Sequence, residues 1–285
     1  MTTNRHFQFT FHKSNSCRLA LSILIEISKD FSDLTGLDDV KNHSIEKKMS
    51  ITVVFIPGYQ SVVPSTKSTF LQTWCDEHHH RFVTFNHDFS SPDSHVGTWF
   101  HHLLSILHEK TGNDRLILVS ASLGAWLALL ILIRKDVDTS ICTRIDGILA
   151  LGMSINGTEV WLNEIEPIEY RSDRTYTYRR PSTYSSTGYY DLPVSMLLDS
   201  KEYLLPIECI DLQNNDCPLI FMHGMLDPDV PYQRMIDFVS RLPMNKKGAI
   251  EIRLIHDGDH RLSRDEDLNK IGRCLNDLIE MSKKI

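Results

Sequence analysis

Ser122 lies in Ser120-Ala121-Ser122-Leu123-Gly124, between the run RLILV (115–119) and a long apolar stretch. A serine hydroxyl attacks carbonyls only when a base takes its proton and the chain holds it out of the sheet. A sharp strand-to-helix turn does the second job, and it needs small residues two positions before and after the serine. Ser120 and Gly124 meet that need, although the first position usually carries glycine and the literal G-x-S-x-G pattern is missing. Small-residue turns of this kind are common without any chemistry, so the reading depends on an acid and a base elsewhere. PLIFM (218–222) leads into His223-Gly224-Met225-Leu226-Asp227, and EIRLI (251–255) leads into His256-Asp257-Gly258-Asp259-His260. Asp227, past a strand end in a glycine-containing turn, suits a carboxylate that orients a histidine. Asp229 is placed to do the same. His260, in a polar loop, suits the general base, with His256 as its competitor. The chemistry implied is acyl transfer.

These residues need a scaffold that brings three strand ends together. ITVVFIP (51–57) is a continuous β-branched run, as in a strand buried on both faces. Helices are predicted over 65–77, 98–110, 232–242 and 264–282, and strands over 81–85, 115–119, 145–152, 218–222 and 249–255. Strands alternating with helices imply a mainly parallel sheet with helices on both faces. Serine, acid and base in that order, each after its own strand, is the chain order of the α/β-hydrolase fold, which is the fold expected here. Gly58-Tyr59-Gln60 follows the first core strand, so the Tyr59 N–H is expected to join the Leu123 N–H in an oxyanion site. Residues 154–217 break the rhythm and hold seven of the nine tyrosines. They are read as a lid inserted in a hydrolase domain spanning 49–285. Arg171, Arg174, Arg179 and Arg180 in that lid are read as solvated charge or as partners for a substrate carboxylate.

Other functions fit less well. The net charge of −7 gives phosphates no basic face, arguing against nucleic acid. No apolar run approaches the roughly 20 residues of a membrane span. His78-His79-His80, with His87, His101 and His102 nearby, lacks an acid or cysteine at ligand spacing, so no metal is expected. No cofactor fingerprint is present. The six widely spaced cysteines read as reduced thiols, with a Cys209–Cys217 disulfide as the alternative. Residues 1–48 form an N-terminal extension, and the first 25 carry Arg5, Lys13 and Arg18 but no acid. That suits a mitochondrial transit peptide, the alternatives being a first strand and a cytoplasmic chain. Hydrolase folds also serve as receptors, so a non-catalytic binding protein stands beside the enzyme readings.

From about Ile51 onward the chain resembles the mitochondrial palmitoyl-protein thioesterase and acyl-glucuronide esterase subgroup of abhydrolase domain-containing proteins. The motifs are FIPGYQS (55–61), STKSTFLQTWC (65–75), SASLGAWLALL (120–130), STYSSTGYYDLP (182–193), CPLIFMHGMLDPDVP (217–231) and GDHR (258–261). Ser122, Asp227 and His260 fall on that subgroup's triad positions. The resemblance implies cleavage of S-palmitoyl-cysteine thioesters and acyl glucuronides in mitochondria, on S-acylated proteins or small acyl esters. A general carboxylesterase is the other enzyme reading. Ser120 in place of glycine is a departure from the pattern.

Overall fold

The computed structural model describes residues 51–283 except 209, 215, 244 and 245. The expectations for the 1–48 extension therefore lie outside the described residues. The elements run β1 (Thr52–Ile56), α1 (Thr66–Glu77), β2 (Arg81–Thr84), α2 (Val96–Thr111), β3 (Leu116–Ala121), α3 (Leu123–Ile133), α4 (Thr139–Cys142) and β4 (Ile145–Leu151). They continue with α5 (Gly157–Asn163), β5 (Thr177–Pro181), β6 (Tyr189–Pro193), α6 (Val194–Asp199), β7 (Leu219–Gly224), α7 (Tyr232–Val239), β8 (Ile250–Ile255) and α8 (Asp265–Ser282).

Six strands form one sheet in the order β2-β1-β3-β4-β7-β8, every neighbouring pair parallel. The chain builds outward from β1 to β2, then returns past β1 to lay down β3 and the rest. The order thus reverses between β1 and β3, and at such a switch point a crevice opens outside the strands' carboxyl ends. Along β1 and β3 successive side chains enter opposite layers, as the two-residue period of a strand requires. Val54, Ile56 and Leu118 pack with α2 and α3, whereas Val53, Phe55, Ile117 and Val119 pack with α1 and α8. That is why the runs are continuously apolar. All eleven residues of α3 are buried, as expected of a helix apolar all round.

Two boundaries differ usefully from the sequence reading. Helix α2 starts two residues early because His95, an unusual cap, accepts the Gly97 N–H through Nδ1 at 3.1 Å. Strand β7 runs on to Gly224, which turns the His223 side chain into the interior. Between β4 and β7 the chain leaves the sheet to form α5, the antiparallel pair β5–β6, and α6. Within this insertion reciprocal hydrogen bonds between the Asn156 amide and the Leu205 backbone (3.1 and 2.8 Å) tie its two ends together, and Trp126 Nε1 on α3, donating to Tyr203 O, anchors it to the core. Cys217 is a free buried thiol, which removes the Cys209–Cys217 alternative. Among the described residues no helix is long and apolar enough to cross a membrane.

Candidate active site

Ser122 occupies the single residue between β3 and α3, at φ 51° and ψ −114°. A residue with a Cβ pays about 1–3 kcal/mol there, so neighbours must impose the conformation. The Ser122 N–H donates to Leu151 O at 2.8 Å, and its carbonyl accepts from Ala125 N and Ser154 N at 3.1 and 3.2 Å. Close approach explains Gly124: a methyl group there would lie 2.4 Å from Ile56 O. Ser120 tolerates the position because its hydroxyl donates to Leu149 O (3.2 Å) on the neighbouring strand.

The three residues singled out by order along the chain meet in space. His260 Nε2 is 3.0 Å from Ser122 Oγ, and His260 Nδ1 is 2.6 Å from Asp227 Oδ2. Asp227 Oδ1 accepts the Asp229 and Val230 N–H groups at 2.9 and 2.8 Å. Burial alone would raise the Asp227 carboxyl, but hydrogen bonds from His223 and His260, the His260 charge and the Val230 N–H outweigh it. The carboxyl is held well below its ordinary range. Asp229, the competing acid, instead accepts Ser182 Oγ at 3.2 Å, and His256 is exposed.

Several contributors escaped the sequence reading. His223, fully buried, places Nε2 3.1 Å from Asp227 Oδ2 and 2.9 Å from Val230 O. A carbonyl only accepts, so this nitrogen carries the proton and shares it with the carboxylate. Gly152, at φ +52°, clears space for His260: a methyl group there would sit 3.0 Å from His260 O. Tyr184, in the insertion, accepts the His260 N–H through its hydroxyl at 3.2 Å. Lys67 donates to Arg261 O and Ser263 Oγ and so ties α1 to the loop of His260; burial pushes its ammonium down to about 8.

A cleft of about 350 Å³ opens at Ser122 and His260. The turn after β1 forms one wall, where a methyl group on Gly58 would lie 3.2 Å from Ser122 Cβ. This brings the Tyr59 backbone beside the elbow, next to the first turn of α3, whose N–H groups have no intrahelical acceptor. The Tyr59 ring meets Phe89, Trp161 and Tyr190 at centroid distances of 5.0, 5.4 and 5.5 Å. Burial pushes its phenol up to about 12. The four insertion arginines face acids: Arg171–Glu166, Arg174–Asp199, Arg179–Asp191 and Arg180–Glu164, at 2.8, 2.7, 3.0 and 2.9 Å.

The histidines do different work. His95 caps α2, His101 meets the Tyr203 hydroxyl, and His87 is buried beside Phe85, Phe89 and His102. Among the described residues no group of three or more His, Cys, Asp or Glu is arranged to hold a metal.

The model of the prolyl oligopeptidase family matches residues 104–275, well over half of the chain. The chain belongs to this family. With its parallel six-stranded sheet, family membership makes it an α/β hydrolase. The chain is also similar to the mitochondrial palmitoyl-protein thioesterase ABHD10 of mouse, with 27% identity over 80% of this chain and 75% of that one. The human counterpart is 25% identical over 82% and 74%. Among solved structures, mouse α/β hydrolase domain-containing protein 10 superposes with a TM-score of 0.67 at 25% identity, covering 80% of this chain and 89% of that one. A hydrolase of Agrobacterium vitis S4 gives 0.70 at 22%, over 81% and 88%, and speaks to the fold alone.

Proposed function

We propose that the chain is a serine hydrolase that cleaves acyl thioesters and esters, with Ser122 as nucleophile, His260 as base and Asp227 as the acid that orients it. The observation that carries this reading is the unbroken chain from Ser122 Oγ through His260 to Asp227, at 3.0 and 2.6 Å, opening on the cleft. In this cycle Ser122 Oγ bonds to the acyl carbon while its proton passes to His260 Nε2. The carbonyl π electrons move to oxygen, where the Tyr59 and Leu123 N–H groups receive them; each such donor is worth about 3 kcal/mol of barrier. The tetrahedral intermediate expels the thiolate or alkoxide, which takes the proton from His260. Water, deprotonated by the same nitrogen, then attacks the acyl-serine and releases the acid.

The names of the mouse and human relatives support S-palmitoylated cysteine as substrate and the mitochondrion as location. The acid-free first 25 residues support the same location. Acyl glucuronides belong to the same proposal, and the insertion between β4 and β7 is its lid. The cleft's volume, near the lower end of the usual range of roughly 300–1,000 Å³, favours a second reading, a carboxylesterase for small esters. A substrate panel separates them: palmitoyl-cysteine peptides, acyl glucuronides and short oxygen esters, on wild type beside Ser122→Ala. Turnover of the peptides that disappears in Ser122→Ala supports the thioesterase; short esters winning by a wide margin supports the carboxylesterase. If a fluorophosphonate leaves Ser122 unlabelled, both fall in favour of a binding protein.

A further inference from the structure

A chain of net charge −7 places four cations around its cleft, Lys67, Arg180, Arg234 and Arg261, against one acid, Asp229, outside the relay. Three of the four are occupied. Arg180 is paired with Glu164, with Asp229 at 3.9 Å. Lys67 is held by Arg261 O and Ser263 Oγ. Arg261, at the exposed rim, donates to Tyr184 O at 2.8 Å and lies over the Tyr184 ring. Arg234, on the first turn of α7, shares with Arg261 the lack of a carboxylate partner among the described residues, but Arg261 is exposed to water. Arg234 is half-buried, it has no carboxylate within 4 Å among the described residues, and its one hydrogen bond there is from Nη2 to Ile155 O at 2.9 Å. A guanidinium carries five N–H donors in a planar fork suited to two carboxylate oxygens. Removing it from water without an acid is costly, and burial does lower its pKa, only partly countered by Glu159 and Glu164.

We infer that Arg234 is the receptor for a carboxylate carried by the acyl substrate. This rests on the hydrolase reading of Ser122 and adds to it a charge on the substrate. Four arginines in the insertion drew attention in the sequence, and each is neutralised by an acid of its own; the half-buried cleft arginine without an acid lies on α7. Arg234 and Ser122 line the same cleft, so one ligand meets both. Arg234 also borders a second hollow of about 210 Å³, lined by Met153, Ile155, Ile207, Asp237, Phe238 and Arg241, with no carboxylate of it within 4 Å of the guanidinium among the described residues.

Matched esters test this on both sides of the scissile bond. On the acyl side, p-nitrophenyl hydrogen glutarate is compared with p-nitrophenyl valerate, in which a methyl replaces the carboxylate. On the leaving-group side, the butyrate ester of 4-hydroxybenzoate is compared with that of methyl 4-hydroxybenzoate. The readout is the charged-to-neutral ratio of kcat/KM within each protein, so a loss of folded enzyme cancels. Wild type is expected to favour the charged ester on one side by about ten- to a hundredfold, the value of a charge-assisted hydrogen bond. Arg234→Met is expected to abolish that ratio mainly through KM, and Arg234→Lys to restore part of it. A wild-type ratio at or below one on both sides, or a ratio that Arg234→Met leaves unmoved, overturns the inference. If neutral esters turn over and fluorophosphonate labels Ser122 in that case, the hydrolase reading stands. If neither happens, both fall.

Discussion

Ser122 sits in a strained backbone conformation, and removing its Cβ should stabilise the protein. Comparing Ser122→Gly with Ser122→Ala isolates this effect, because both lose the hydroxyl and its bond to His260 equally. At φ 51° and ψ −114° alanine carries about 1–3 kcal/mol of strain, while glycine adopts such angles freely. Against this, glycine gains about 0.4–1 kcal/mol of chain entropy in the unfolded state. At the middle of both ranges the difference leaves Ser122→Gly more stable by about 1.3 kcal/mol. In a domain of this size that is a rise in Tm of about 3–5 °C. Calorimetry or urea unfolding reads the difference directly. A Tm for Ser122→Gly at or below that of Ser122→Ala would refute the strain argument and leave the elbow an ordinary turn.

Asp227→Asn should lower kcat by about 10⁴-fold, since the amide favours the wrong tautomer of His260; steady-state kinetics on a short ester reads this, and a loss below tenfold would remove Asp227 from its role. Gly152→Ala forces a Cβ into the left-handed region beside His260 O. It should cost about 1–2 kcal/mol of stability and, by displacing the base, on the order of a hundredfold in kcat; unfolding and kinetics measured together check both. His87 is pushed down to about 3 by burial and by His102. Its folded value lies below the ordinary one, so the unfolded chain takes up the proton first as pH falls. Its contribution to stability is complete above about pH 6.5 and is lost toward pH 3 at about 1.4 kcal/mol per unit. Between pH 7 and pH 5 wild type should lose about 2 kcal/mol more unfolding free energy than His87→Phe, and parallel losses in urea unfolding would contradict this.

What could be read from the sequence was whatever depends on order and period. Strands buried on both faces betray themselves as continuous apolar runs, and Val53–Ile56 and Ile117–Val119 were legible for that reason. Ser122, Asp227 and His260 were legible because each follows a strand end, and a parallel sheet collects strand ends on one edge. What could not be read depends on side-chain direction or on contacts between distant segments. His223 looks like any residue before a turn until β7 proves two residues longer than predicted, carrying its ring beneath Asp227. Histidine before glycine and ahead of the acid was its one local trace. Tyr184 lies 76 residues from His260, and no periodicity links a phenol in the insertion to an amide beyond β8. Gly152 could have been noticed as a glycine closing a core strand, but its purpose needed His260 in place.

The contact between Tyr184 and His260 acts as an interlock. The same phenol walls the cleft and receives the amide of the base, while its carbonyl holds Arg261. Were this stretch of the insertion drawn outward by a bulky substrate, both tethers would be released and the histidine loop would be held at Lys67 alone on that side. On the proposed mechanism a wider doorway would therefore loosen the support of the imidazole. Substrates slender enough to enter without moving Tyr184 would meet an imidazole already aligned with Ser122, whereas bulkier ones would have to displace one of its supports.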